Sequence, residues 1–201
     1  GKLMKAYYAK QDAEKLSGKG DTSQKLTLMK TSADSLKKSA DALNDSSLWE
    51  KKKIKKKDEK TGEEIEVEDY DWDKITKAVK SFVEDYNDVV KEAGESNTKD
   101  VLRNASWMTG MTDKNSNMLA QIGITIGKGN KLELDEDALK QADISSLKTI
   151  FTGYNSFVSK ISQKATGISN AANRASATYT NNGTYSKTDS SLTSSKIDKE
   201  V

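Results

Sequence analysis

A chain of 201 residues with 33 lysines and arginines against 31 aspartates and glutamates carries a net charge of only +2. No global field therefore draws it to nucleic acid or to a membrane surface. It has no histidine and no cysteine, which removes the usual general base, the usual activated nucleophile and most transition-metal ligands together.

Proline is absent as well, so nothing in the chain forces a helix to break, and long helices are predicted. The opening stretch, Leu3 to Leu16, has helix-forming composition and is punctuated by Gly18 and Gly20. From Leu26 the apolar residues fall at Leu26, Met29, Ala33, Leu36, Ala40 and Leu43, spacings of three and four that form a heptad seam, with Asp21 or Thr22 as its cap. Lys51 to Lys57 is nearly all lysine around Ile54, Asp58 to Gly62 reads as a turn, and Glu63 to Tyr70 is acidic with Ile65 and Val67 alternating, which predicts a β-hairpin. A second seam runs Trp72, Ile75, Val79, Phe82, Tyr86, Val89 and Ala93, with Gly94 placed to cap it.

A weaker helix is predicted over Thr98 to Leu119, with Val101, Leu102, Ala105, Met108 and Leu119 facing the core and an interruption at Gly110 or the polar run after it. Ile122 to Leu134 alternates on both sides of Gly127-Lys128-Gly129-Asn130, a second hairpin, and Asp135 caps the helix that follows. A third seam takes Tyr154, Val158, Ile161, Ala165, Ile168, Ala172, Ala175 and Tyr179, its alanines permitting close helix approach. Beyond Tyr179 the chain is almost wholly Ser, Thr, Asn, Lys and Asp and has too little apolar surface to offset the entropy of ordering. The expected fold class is thus mainly α: an elongated antiparallel helical bundle or coiled coil over 1–179 with small hairpins at about 51–70 and 122–134, then a polar flexible tail over 180–201.

The sites that suggest chemistry have plainer readings. The lysine run resembles a phosphate-binding patch, but it lacks arginine and interleaved aromatics and faces an acidic strand, so cross-strand ion pairs account for it. Gly127-Lys128-Gly129 lacks the spacing of a nucleotide-binding loop, and Asp135-Glu136-Asp137 lacks the alternating oxygen ligands of a calcium loop. A carboxylate-only glycan hydrolase would need a concave apolar site, and 34% apolar residues with a mean hydropathy of −0.80 leave little to build one. Neither a transmembrane run of about 18 apolar residues nor the apolar core of a secretory signal is present. We therefore expect a non-enzymatic protein with no cofactor, metal, small-molecule substrate, nucleic acid or membrane insertion.

The aromatic residues Trp72, Phe82, Tyr86, Phe151, Tyr154 and Phe157 fall mostly on the seams or at their ends, as core residues do. Trp49 and Trp107 are unconstrained by any seam and are candidate surface anchors, because interface hot spots favour tryptophan. They join Lys51, Lys52, Lys53, Lys55, Lys56 and Lys57 as the candidate interaction residues.

Four stretches in order, Val79-Lys80-Ser81-Phe82-Val83-Glu84-Asp85-Tyr86-Asn87, Leu119 to Thr125 around Ile122-Gly123-Ile124, Lys131 to Leu139 around Leu132-Glu133-Leu134-Asp135-Glu136, and Ile150-Phe151-Thr152-Gly153, resemble the C-terminal region of flagellar hook-associated protein 2, the filament cap family. The resemblance runs from about Asp71 to Tyr179. It implies an extracellular axial protein of the bacterial flagellum that self-associates or binds other axial proteins. A shortened relative is expected, since the family's large β-rich domains have room here only at the Lys51 to Tyr70 hairpin. The alternative is a secreted adhesin-like module that binds a host or matrix molecule through the hairpin faces.

Overall fold

The computed structural model describes Leu3, Lys5, Ala9 and residues 20–194, with side chains through Thr178. The elements are α1 (Ser23–Leu43), a 3-10 turn (Ser46–Trp49), β1 (Lys52–Lys57), β2 (Glu64–Asp69), α2 (Trp72–Gly94), α3 (Lys99–Lys114), α4 (Ser116–Gln121), β3 (Ile124–Ile126), β4 (Leu132–Leu134), α5 (Glu136–Gln141), α6 (Ile144–Phe151) and α7 (Phe157–Ser194). The fold is mainly α with two small antiparallel two-stranded sheets, as the periodicities predict. The expected flexible tail over 180–201 falls where side chains, and from residue 195 the whole chain, lie outside the described residues. Most of the Leu3 to Leu16 segment lies outside them too.

The seams make the core. Every residue of the first, Leu26 to Leu43, is buried, and of the second only Trp72 is partly exposed. Thr22 caps α1 by accepting from the Lys25 amide, so Asp21 is released for a different task. Its carboxylate accepts from the Ser96 hydroxyl, the Asn97 amide and the Thr98 hydroxyl at 2.6–3.0 Å, tying the entry of α1 to the α2–α3 turn. Charge-assisted bonds of this kind are stronger than neutral ones.

α1 packs along both α2 and α7, and α3 also packs on α7. Gly167 of α7 allows that last approach: a Cβ there would lie 2.4 Å from Asn104 Oδ1 of α3. Two buried serines of α7 fix its register on α1. Ser162 donates to Asp41 and Ser169 to Asp34, each at 2.6 Å. Both pairs of residue numbers sum to 203, so the helices are antiparallel and Ser23 stands opposite Thr180. From there α7 runs past the start of α1 to Ser194.

Burial works against ionisation of Asp34 and Asp41, yet hydrogen bonds from Lys30 and Ser169 to the first, and from Lys37 and Ser162 to the second, outweigh it and hold both carboxyls below their ordinary range. A depressed folded-state pKa contributes stability that is present above the unfolded value, about 3.9, and is lost as pH falls through the folded value. Both side chains are 48% exposed, so solvent limits each contribution to about 0.5 kcal/mol. The double variant Asp34→Asn, Asp41→Asn is expected to melt slightly below the parent at pH 7 and to lose less stability than the parent below pH 4. Thermal melts across that window check the sign, and a parallel acid limb in both proteins would refute it.

The interruption expected in the Thr98 to Leu119 helix falls in the polar run after Gly110, at Asn115, whose amide and side chain both turn back onto the Met111 carbonyl; Gly110 itself lies inside α3. Two expectations are corrected. Gly94 does not end α2 as a left-handed cap; it is the last helical residue, and Glu95 caps with right-handed dihedrals. Tyr154 is not on the third seam. It precedes α7 and is 83% exposed, while Phe157 takes the buried place at the helix start.

The four stretches singled out in the sequence converge on one junction. Phe82 lies 6.2–6.5 Å, ring to ring, from Tyr86, Phe151 and Phe157. Asn87 reads β4 as a strand would, donating to the Leu132 carbonyl at 2.9 Å and accepting its amide at 2.7 Å. Gly123 accepts from the Asp135 amide at 2.8 Å, closing β3 against the cap of α5. Gly153, at φ 100°, donates its amide to Asn44 Oδ1 at 2.8 Å beyond the end of α1. Helix, hairpin and turn motifs distant in sequence thus form a single packed knot.

Candidate functional site

Outside the knot, two surfaces carry exposed side chains in organised form. The first is the β1–β2 hairpin, whose turn is held by Asp58: its carboxylate accepts from the Lys60 and Thr61 amides, and Gly62 takes φ 74°. The strands pair with Lys52 opposite Asp69, Lys53 opposite Glu68, Ile54 opposite Val67, Lys55 opposite Glu66, Lys56 opposite Ile65 and Lys57 opposite Glu64. Lys55 reaches Glu64 at 3.7 Å and Lys56 reaches Asp69 at 2.5 Å. Hydrogen bonds from Lys56 and the Tyr70 amide hold the Asp69 carboxyl below its ordinary range.

Lys52, Lys53, Lys55, Lys56 and Lys57 are exposed, as is Lys51, whose ammonium stands 5.7 Å from the centre of the Tyr70 ring. Asp58 donates its amide to the Glu63 carbonyl at 2.9 Å, so Asp58 faces inward across the ladder. Antiparallel alternation then turns the backbone groups of Lys53, Lys55 and Lys57 outward on one edge and those of Glu64, Glu66 and Glu68 outward on the other. Each edge is free of a further strand among the described residues.

The second surface is a groove of about 530 Å³ lined by Ser106, Trp107, Gly110, Met111, Lys114, Asn115 and Lys160, between α3 and the start of α7. Trp107 is 63% exposed, and the Lys164 ammonium sits 4.7 Å from the centre of its ring. An apolar floor with lysines around it suits a partner that offers an apolar side chain beside a carboxylate.

Trp49, expected beside Trp107 as a surface anchor, is only 1% exposed. The 3-10 turn after α1 folds it back so that its indole N–H donates to the Leu43 carbonyl at 2.8 Å and its ring stacks on Phe151 at 5.5 Å. It satisfies an end carbonyl of α1 and seals the knot. The hairpin lysines and Trp107 also belong to separate surfaces, on different elements.

No group of three or more carboxylates able to hold a metal ion, and no helix long and apolar enough to cross a membrane, occurs among the described residues. What sequence reasoning missed is the groove around Trp107, since Met111, Lys114 and Lys160 lie on two helices far apart in the chain. The i, i+4 spacing of Trp107 and Met111 was the available signal.

Comparison with known proteins gives one positive result: residues 94–200 match the family model for the C-terminus of flagellar hook-associated protein 2. No curated protein and no solved structure matches the chain.

Proposed function

The chain belongs to the flagellar hook-associated protein 2 family, and from that premise we propose that it is exported and built into the axial part of the flagellum, where it works by self-association or by docking onto other axial subunits. The family is a structural one of the bacterial flagellum, outside the cell, and no step of catalysis is called for. The observation that carries the proposal is the extent of the family match, which begins at Gly94 and takes in α3 to α7, including the long helix that forms the α1–α7 pair. Such a pair supplies a rigid shaft, and the hairpin and the Trp107 groove stand on it as contact points.

The experiment is expression of the tagged full chain in a flagellated bacterium lacking its own hook-associated protein 2, followed by fractionation and immunogold labelling. Recovery with sheared flagella or in the medium is the expected outcome; retention in the cell with no label on flagella would overturn it. Trp107→Ala is expected to move the melting temperature by no more than about 2 °C, because the side chain is largely exposed. The same substitution is expected to weaken co-sedimentation with purified filaments by about tenfold, as loss of an aromatic anchor does.

A second reading, a module that recognises a host or matrix molecule, draws on the exposure of the β1–β2 hairpin. Binding to such a molecule that is lost on deletion of 51–62, in a chain that fails to co-sediment with filaments, would favour it.

A further inference from the structure

The β1–β2 hairpin has no core of its own: only Ile54 and Val67 among its apolar residues are partly buried, and Ile65 is 40% exposed. A two-stranded ribbon is marginal in water, and both of its edges are templates for another strand. Charge is what distinguishes the two edges here. β1 is Lys-Lys-Ile-Lys-Lys-Lys and holds no acid; β2 is Glu-Ile-Glu-Val-Glu-Asp and holds no base.

We propose that the hairpin is a head-to-tail assembly contact in which the free edge of β1 in one copy pairs, antiparallel, with the free edge of β2 in the next. This rests on the axial-protein reading above and names the surface through which self-association occurs. The outward-facing residues of β1 are Lys53, Lys55 and Lys57, and those of β2 are Glu64, Glu66 and Glu68. An intermolecular pair in the register already seen within the hairpin sets Lys53 against Glu68, Lys55 against Glu66 and Lys57 against Glu64, with Ile54 beside Val67. The contact between copies repeats the contact within one.

The same charges exclude the symmetric alternatives. Two β1 edges would set lysine against lysine, and two β2 edges carboxylate against carboxylate, each unfavourable directly across a ladder. Only the heterologous pairing remains, and heterologous contacts propagate into rings or open helices instead of stopping at a dimer.

An edge of six residues buries little surface, so one such contact is weak and calls for protein at about 100 μM or more. Sedimentation velocity on the full chain is expected to show species growing past the dimer with concentration. Raising salt from about 0.05 to 0.5 M is expected to increase the concentration needed for half-assembly by about tenfold, because the paired charges are exposed.

Two variants then test direction. Lys53→Gln, Lys55→Gln, Lys57→Gln neutralises the outward β1 edge; Glu64→Gln, Glu66→Gln, Glu68→Gln neutralises the outward β2 edge. Glutamine places no like charges across the internal ladder, and the Hα shifts of Ile54 and Val67 report whether the hairpin persists. Each variant alone is expected to be monomeric, and an equimolar mixture to stop at a 1:1 dimer, since one intact β1 then meets one intact β2. A mixture that stays monomeric while the hairpin shifts are unchanged, variants that assemble like the parent, or a parent that is monomeric throughout would overturn the proposal. Flagellar localisation of the parent in the presence of any of these results would leave the axial-protein reading standing, so the two can fail separately. Loss of the hairpin shifts in either variant moves the test to Lys55→Pro and Glu66→Pro, which remove an outward N–H from each edge while leaving the inward ladder bonds in place. The same pattern of monomers and a 1:1 mixture is expected, and its absence overturns the proposal.

Discussion

Phe82→Ala is expected to lower the free energy of unfolding by about 3–5 kcal/mol, the range for removing a buried phenyl ring and leaving its cavity. Phe82 is fully buried, and its ring is the common neighbour of Tyr86, Phe151 and Phe157. Those rings come from α2, α6 and the start of α7, so the cavity would open where three helices meet and where none can close on it without disturbing another contact. Tyr86 is pinned by its hydroxyl, which donates to Thr112 on α3 at 2.8 Å, and Phe151 by its stack on Trp49. Both neighbours are held from moving inward to fill the space. Urea unfolding should show a lower midpoint with an unchanged slope; a loss below about 1 kcal/mol would mean that the cluster collapses freely and is not the centre of the core.

Gly123→Ala is expected to cost a comparable amount, about 3–5 kcal/mol, by a different route: left-handed strain in a non-glycine residue plus overpacking against backbone. Gly123 has φ 85°, and a Cβ there would lie 2.6 Å from the Asp135 carbonyl oxygen and 3.0 Å from the Leu139 amide. Neither atom can yield. The Asp135 amide bonds Gly123, the Leu139 amide bonds the Asp135 carbonyl, and the Asp135 side chain caps α5 through the Asp137 and Ala138 amides. Faster amide exchange in β3, β4 and α5 than in α1 and α2 would identify the damage as local to the knot. Uniform protection in the variant would refute the clash.

These two residues mark what the sequence could and could not say. Phe82 was legible as a core residue because its seam repeats every three and four positions, and such a repeat leaves only one face that can be buried. Gly123 stood in a recognisable stretch, but its need for glycine arises from a carbonyl twelve residues later, which no local pattern exposes. The same limit explains Trp49. A tryptophan in a connecting segment has no periodicity to place it, and only the turn back onto the end of α1 decides that it is buried. The serine–aspartate register pairs and the Asp21 clip also link distant helices, and serines at 162 and 169 look like any polar helical surface until α1 lies beside them. Of the candidate site, the hairpin and its opposite charges could be read in order along the chain, because strand alternation and a Gly62 turn are local. The Trp107 groove could not, since the lysines that close it over the α3 residues, Lys160 on its wall and Lys164 against the Trp107 ring, come from α7.

The base of the β1–β2 hairpin has one more consequence. The chain leaves the bundle at Lys52 and returns at Asp69, directly opposite one another in the ladder. Exit and re-entry are therefore side by side, and the bundle experiences everything between them as one tether of near-zero span. Material of almost any length can be exchanged at that point at a closure cost that rises only with the logarithm of its size, about 0.6 kcal/mol per doubling. The shaft and the tip can accordingly be altered independently, so the same bundle can carry a short charged ribbon or a much larger head.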